Sequence, residues 1–596
     1  MPRVYDSTLF ADPQEFLPPP LPWRGGSEAL IAACDDPWIT PAERTALVES
    51  PNYDATIAYL EQLCAKSPWL SLVEFGRSAQ GRPLYLVIAS TEANPTPESL
   101  HASGKPVLLA QAGIHPGEID GKDAGLMLLR DIAFRGKAAL LDAAHFLLIP
   151  ILSTDGHERS SKWSRPNQRG PLEMGWRTTA QNLNLNRDFV KADAPEMRAL
   201  VGLLNRWQPS LYLDLHVTDG LDYQYDVTYT YHGANGSFAW SPNIGHWLDD
   251  VLHPALDRDL KAQGHIPANL YIDARNGRDL DNGLIEGHAS PRFSQGYGDV
   301  RAIPTVLVET HSLKTHRQRV LGTYVLLETA LTVIGRDGAA LQAAIAADRA
   351  ALPTTIPARW TASEDHREVD FLGVSSATYH SAASGTTEVR WTGQPVLFPR
   401  VPVFRDRPGI TFTRPKAYWV SITKPEVIDR LQLHGLAYET LPEAKTVPLE
   451  FYRLVNPQPR PGEGFHPFES RHTLTTGVTA ERRSERFPAG SVRVPTDQPL
   501  GRLAVLMLEP ESEDSLLQWG FFSEVLQRSE YIEGYVIAPM AEKMLARDPL
   551  LKAEFEAKLA VDEAFAADAK ARLTWFYERS PFFDERFLLY PVGVER

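Results

Sequence analysis

Between residues 50 and 335, short apolar runs of β-like composition alternate with segments of helical periodicity, and this alternation leaves few folds open. The runs "LSLVEF", "PLYLVIAS" and "PVLLAQAG" read as strands, and "IDGKDAGLMLLRDIAF" as the helix that follows the third. "HFLLIPIL" then reads as a buried strand, "APEMRALVGLLNRW" as a helix, "SLYLDLH" and "IPTVLVE" as strands and "QRVLGTYVLLETALTVI" as a closing helix. Strands separated by helices predict an α/β domain with a mixed, largely parallel sheet covered by helices. Ligands in such domains sit beyond the carboxyl ends of the strands, so strand-end residues are the first candidates for chemistry.

The flanks differ in character. Residues 1–50 are proline-rich and read as an extended arm packed on the α/β domain, which is expected to span 51–338. Residues 339–596 form an accessory region, α/β in pattern with a helical end. Within it "AYWVSITKPEVIDRLQLHGLAYETL" predicts strand, helix and strand, and "GRLAVLMLEPESEDSLLQWGFFSEVL" predicts a further strand and helix. The Ala-rich end from "AEKMLARDPLLKAEF" is helical in period, without a heptad register long enough for a coiled coil.

Composition narrows the partners. A formal net charge of −15 argues against phosphate-backbone binding, so no nucleic acid is expected. Cys34 and Cys64 are the only cysteines, enough for at most one bridge and too few for a thiolate metal site. No apolar stretch is long enough for a membrane span, and the opening residues lack the pattern of a signal peptide. The cytoplasm is the default compartment, or the exterior if a leader has been removed. Oligomeric state is open.

Four strand ends or loops carry candidate chemistry. "GIHPGE" follows the third strand and offers His115 and Glu118 within one turn, an imidazole and a carboxylate that can converge on one ion. An HxxE pair is also what a solvated histidine and a helix-start glutamate would give. Catalytic zinc usually takes three protein ligands, and His216 at the end of "SLYLDLH" supplies a third. Asp214, two residues earlier on the same strand face, can accept the proton of a metal-bound imidazole, that of His216 or of His115. Glu309, directly after "IPTVLV", is a carboxylate at a buried sheet end and the candidate base. His311 and His316 follow it and read as surface or supporting residues. Finally, from Arg159 to Arg187 the chain carries five arginines and one lysine against a single acidic residue, Glu173. Such a reversal suits a substrate bearing a carboxylate, which arginine grips in bidentate fashion.

Together these elements resemble the zinc carboxypeptidases of the carboxypeptidase A and B type, whose pattern is HxxE, an Asn-Arg pair, a lone His and a strand-end Glu. The resemblance covers residues 50–335; the accessory region lies outside it, apart from a loose likeness to the accessory regions of large bacterial members. It implies one zinc ion held by His115, Glu118 and His216, Asn186 and Arg187 on the substrate's terminal carboxylate, and Glu309 as general base and acid. It also implies an arginine on the scissile carbonyl, either Arg177 or Arg165. This chain departs from the pattern at Asn184, where the family commonly has an aspartate supporting the first metal histidine. The family's substrate-closing tyrosine has no clear counterpart: Tyr297 lies much nearer Glu309 than that tyrosine does, and Tyr271 is not assigned.

The activity implied is hydrolysis of the C-terminal peptide bond of peptides. Two alternatives remain open at this stage: a zinc amidase or deacylase acting on small N-acyl amino acids or cell-wall peptides, and a catalytically silent binding homologue.

Overall fold

The computed structural model describes residues 12–277, 280–459, 471, 473–528 and 530–596. Nine strands belong to the first half of the chain: β1 (Leu70–Arg77), β2 (Pro83–Ala89), β3 (Val107–Ala112), β4 (His145–Ile149), β5 (Leu211–Thr218), β6 (Val227–Thr230), β7 (Pro267–Asn269), β8 (Leu284–Glu286) and β9 (Thr305–His311). All but β8 join one eight-stranded sheet in the order β1-β2-β4-β3-β5-β9-β6-β7. Its centre, β4-β3-β5-β9, is parallel, and antiparallel pairs lie to either side. β3 and β4 are buried at every residue, which explains why they read as continuous apolar runs rather than alternating ones.

The helices Asp120–Phe134 and His316–Ala350 pack on one face of this sheet. Pro195–Trp207 and much of the accessory region pack on the other. The sheet is therefore sandwiched, and the site residues are left at the carboxyl ends of its parallel strands.

The arm from residue 12 is not wholly extended, since it contains the short helices Gly26–Leu30 and Pro41–Arg44, but it lies on the α/β domain. Trp23 Nε1 donates to the Gly264 carbonyl at 2.9 Å, and Arg130 Nη1 donates to Glu43 at 2.7 Å. Residues 1–11 of the expected arm lie outside the described residues. Cys34 and Cys64 are both free thiols.

The accessory region departs from the expectations in three ways. First, residue 338 falls inside the 35-residue helix His316–Ala350, so the change in composition there marks no break in the chain. The helix passes from the buried run around Leu321–Leu331 to an Ala-rich half that is partly exposed, and the sequence registers that change of environment. Second, "GRLAVLML" is a helix, Gly501–Leu508, not a strand. All eight of its residues are buried, and an apolar run buried on every side has no period by which helix and strand could be told apart. Third, two long strands, β10 (Thr355–Ser381) and β11 (Thr386–Thr413), form a hairpin whose second strand pairs in parallel with β8. This three-stranded sheet ties the accessory region to the loop that precedes β9.

The expected strand, helix and strand after residue 417 are β12 (Ala417–Val420), a helix Pro425–Leu433 and the two-residue β13 (Glu439–Thr440). They belong with β14 (Lys445–Pro459), β15 (Leu474–Phe487), β16 (Val492–Pro495) and β17 (Leu589–Glu595) to a six-stranded sheet. The end is helical over Gly534–Tyr577, as its period indicates. Among the described residues no helix is long and apolar enough to cross a membrane.

Candidate metal centre and substrate cleft

β3 ends at Ala112, and Gly113 turns the chain with φ +65°, a left-handed conformation in which a side chain is strained. The turn is closed by Glu118 N–H donating to the His115 carbonyl at 2.9 Å. Gly117 serves differently: a Cβ there would lie 2.7 Å from the Gly175 carbonyl and 2.8 Å from Arg165 Cγ, so its hydrogen lets the arginine-bearing loop cross the turn.

His115, Glu118 and His216 converge, each almost fully buried, with one ligand atom apiece within 4.8 Å of the others. Both imidazoles aim Nδ1 at the same carboxylate: His115 Nδ1 lies 3.0 Å from Glu118 Oε1, and His216 Nδ1 lies 3.0 Å from Oε2. Their far nitrogens are held by acceptors. His115 Nε2 faces Asn184 Oδ1 at 3.2 Å, and His216 Nε2 faces Asp214 Oδ2 at 2.9 Å. Asn184 Oδ1 also accepts the Asn186 N–H at 3.1 Å, so it meets the ring as an acceptor and the His115 proton sits on Nε2. Burial pushes the His115 imidazole down to about 4, hence neutral. Its Nδ1 lone pair then points at a carboxylate oxygen, an arrangement that a cation between them would satisfy. The donor set thus fits a divalent ion of the zinc type, which takes nitrogen and oxygen ligands together.

The charges around the set are correspondingly displaced. Burial works against the Glu118 carboxylate, yet His115 and Arg165 beside it hold its pKa well below the usual range. Burial likewise opposes the charge on His216, but Asp214 pulls its pKa well above the ordinary value. Asp214 serves His216 alone of the two alternatives left open, because Asn184 occupies the corresponding place behind His115.

Glu309 stands beside this set on β9. Burial, opposed by His216 and reinforced by the Glu118 and Asp214 carboxylates, pushes its carboxyl up to about 8. Its Oε2 is buried with no hydrogen-bond partner among the described residues. His311 and His316, expected near the surface or in support, are both buried. His311 stacks on Tyr223 at 3.8 Å, and His316 bridges Asp120 at 2.7 Å and Asp123 at 3.0 Å. Asp120 accepts from the Thr310 hydroxyl, which reaches the His216 carbonyl, so His316 supports the site through two intermediaries.

The arginines divide the cleft. Arg165 Nη2 donates to Glu118 Oε1 at 2.6 Å, while Arg177, more exposed, approaches the same oxygen no closer than 3.8 Å. Asn186 and Arg187 sit in the short helix Leu185–Arg187, and the Arg187 guanidinium lies over the Phe293 ring, 4.4 Å from its centroid. A single cleft of about 580 Å³ takes in the His115/Glu118/His216 set, Arg165, Arg177, Asn186, Arg187 and Glu309. Tyr271 lines it as well, whereas Tyr297 is buried elsewhere, its hydroxyl bonded to His434. The cleft also reaches Phe293, His288 and, from the accessory hairpin, Trp360. None of these three carried a signal in the sequence.

Residues 56–243 match the family model described as zinc carboxypeptidase, a stretch that includes every expected site residue except Glu309. Carboxypeptidase 2 of Trichophyton rubrum is 23% identical over 494 residues, covering 79% of this chain and 84% of that protein. Carboxypeptidase 2 of Trichophyton equinum is 22% identical over 519 residues, covering 84% and 89%. Such coverage exceeds what residues 1–338 make up, so the likeness runs into the accessory region, which sequence motifs had placed outside it. A solved metallo-carboxypeptidase from Burkholderia cenocepacia aligns with a TM-score of 0.36 and 18% identity, covering 49% of this chain and 71% of that one. Residues 56–243, which carry the HxxE motif, the Asn-Arg pair and the lone histidine, form a domain of the zinc carboxypeptidase family.

Proposed function

We propose that the protein is a zinc-dependent carboxypeptidase that hydrolyses the C-terminal peptide bond of peptides. The observation that carries this reading is the convergence of two imidazole Nδ1 atoms on the Glu118 carboxylate, with Glu309, Arg165, Arg177 and Arg187 opening onto the same cleft. His115, Glu118 and His216 would hold the zinc ion, one per site. Bound there, zinc supplies Lewis acidity, making water more acidic and polarising a carbonyl.

The chain's own residues provide the rest. Glu309 Oε2, unpaired and at the cleft, takes the proton from the attacking water and returns it to the departing amine. Arg177 faces the scissile carbonyl and stabilises charge as it develops on the oxygen. Arg165, committed to Glu118, holds that ligand in place and lines the substrate side of the cleft. Asn186 and Arg187 fix the substrate's terminal carboxylate, Arg187 by a bidentate grip braced from behind by Phe293. The position of the bond to be cut is thereby set by the free C-terminus.

A second reading has one observation in its favour. The accessory hairpin contributes Trp360, Asp365, Arg405 and Asp406 to the cleft wall, a degree of enclosure that suits small N-acyl amino acids. One experiment separates the two. A pool of peptides, free-acid and C-terminally amidated, and a set of N-acyl amino acids are incubated with zinc-loaded protein and with Glu309→Gln, then read by mass spectrometry. The carboxypeptidase reading requires ladders from free C-termini only, absent in the variant. Cleavage confined to the N-acyl amino acids would replace it with the deacylase reading.

A further inference from the structure

Leu307 and Glu309 lie two residues apart on β9, so their side chains share the face that looks into the cleft. Leu307 is also the register partner of Thr230 at the end of β6, and from this floor the cleft continues to His232, His288 and Trp360. Phe293, five residues after His288, also lines the cleft and lies under the Arg187 guanidinium. A substrate whose carboxylate is on Arg187 and whose carbonyl is beside Glu309 would therefore send its last side chain over Leu307 toward Trp360.

Trp360 comes from β10, outside the catalytic domain, and its ring is stacked on His288 with centroids 3.6 Å apart and planes 7° from parallel. Phe238 lies 5.6 Å from it and Trp240 5.0 Å, edge-on. The wall is fastened at several points. Trp240 Nε1 donates to the Pro357 carbonyl at 3.1 Å, His288 N–H donates to Asp406 at 3.2 Å, and β8 pairs with β11 from Leu284 to Glu286. Of the charged side chains nearby, Glu286 accepts from Arg405 at 3.1 Å and from Arg367 at 3.4 Å, and Asp273 and Asp365 line the same cleft. Burial holds the His288 imidazole far below its ordinary pKa, so this ring too is neutral.

We infer that the accessory hairpin completes the side-chain pocket of the cleft, with Trp360 as its specificity-determining residue, and that the pocket takes an uncharged aromatic C-terminal side chain. The inference rests on the carboxypeptidase reading for the direction of the substrate. It gives residues 339–596 a part in selection: without Trp360 the recess loses its outer wall, and the His288 ring loses the surface it stacks on. Aromatic rings meet such walls offset-stacked or edge-on, contacts that an alanine side chain cannot make.

The test uses the full-length zinc-loaded protein and N-acylated dipeptides ending in Phe, Tyr, Ala, Lys or Glu. The wild type is expected to favour Phe and Tyr over Ala by at least tenfold in kcat/KM, and to reject Lys and Glu. Trp360→Leu, which stays apolar but has no ring, should lower the Phe-to-Ala ratio about tenfold, and Trp360→Phe should restore most of it. Zinc content and melting temperature report whether each variant folds. Calorimetric binding of N-acetylphenylalanine and N-acetylalanine to Glu309→Gln, with and without Trp360→Leu, reads the pocket without turnover. If no peptide is cut but N-acetylphenylalanine binds more tightly and loses that advantage with Trp360→Leu, the pocket stands and the peptidase reading falls. A preference for Lys or Glu, no advantage for aromatic residues, or an equal loss on every substrate in Trp360→Leu would overturn the inference.

Discussion

Glu309 and His216 are direct register partners on the neighbouring parallel strands β9 and β5. The pairing sets the proposed base and a proposed metal ligand side by side at one end of the sheet, each carried by a backbone that cannot shift without breaking the ladder. The spacing of catalytic groups is thereby a property of the sheet rather than of a loop.

Replacing Glu309 should separate metal binding from chemistry. Glu309→Gln keeps the volume and one oxygen but cannot accept a proton from water. The turnover number is expected to fall by about 10³, within the range of a lost general base. Zinc content measured by atomic emission should stay at one per chain, because Glu309 is not among the three converging ligands. Activity retained within tenfold would remove Glu309 from the mechanism.

The two residues behind the imidazoles should tune metal retention. Asp214 lies 2.9 Å from His216 Nε2 and is buried completely, so Asp214→Asn removes a charge that favours the orientation and basicity of that ring. Zinc affinity, measured by competition with a chromophoric chelator, is expected to weaken 10- to 100-fold. Asn184→Asp adds such a charge behind His115 and should tighten retention. Opposite signs for the two substitutions are the outcome that matters; matching signs would show that global packing, not the ring's partner, governs affinity.

Arg187→Lys should blur the requirement for a free C-terminus. Lysine keeps the positive charge but neither the bidentate fork nor the flat face that lies on Phe293. The kcat/KM for free-acid peptides is expected to drop about 100-fold, mostly through KM, and the free-acid to amide ratio to fall with it. A drop in kcat alone would point instead to a role at the scissile bond.

Much of this site was legible because it is carried by strand ends. β3, β5 and β9 announce themselves as apolar runs, and His115, His216 and Glu309 follow at their carboxyl ends. The period of two along β5 was enough to put Asp214 on the face of His216. The arginines were harder, because Arg165 and Arg177 sit in an aperiodic loop whose path is fixed by crossing Gly117. Trp360 and His288 were out of reach. Their contact depends on β8 pairing with β11 over a separation of more than a hundred residues, and neither strand carries a local sign of that partner. The misjudged "GRLAVLML" segment fails for a related reason: complete burial erases the polar face that would have revealed its period.

The accessory region also holds a buried acid whose titration should be visible in stability. Glu509 accepts the Tyr418 hydroxyl at 2.7 Å, while its Oε2 is buried with no hydrogen-bond partner among the described residues. Burial pushes this carboxyl from its ordinary 4.5 up to about 7. Between those values the folded protein keeps a proton that the unfolded chain has released. The contribution to stability is therefore fully present below pH 4.5 and is lost as pH rises through 7, by up to about 3 kcal/mol. Glu509→Gln cannot ionise and should escape that loss. Its unfolding free energy relative to the wild type, measured by urea denaturation, should grow more favourable between pH 5 and pH 8. A difference that stays constant or shrinks over that interval would mean that Glu509 is ionised in the fold at neutral pH, with Tyr418 stabilising the charge.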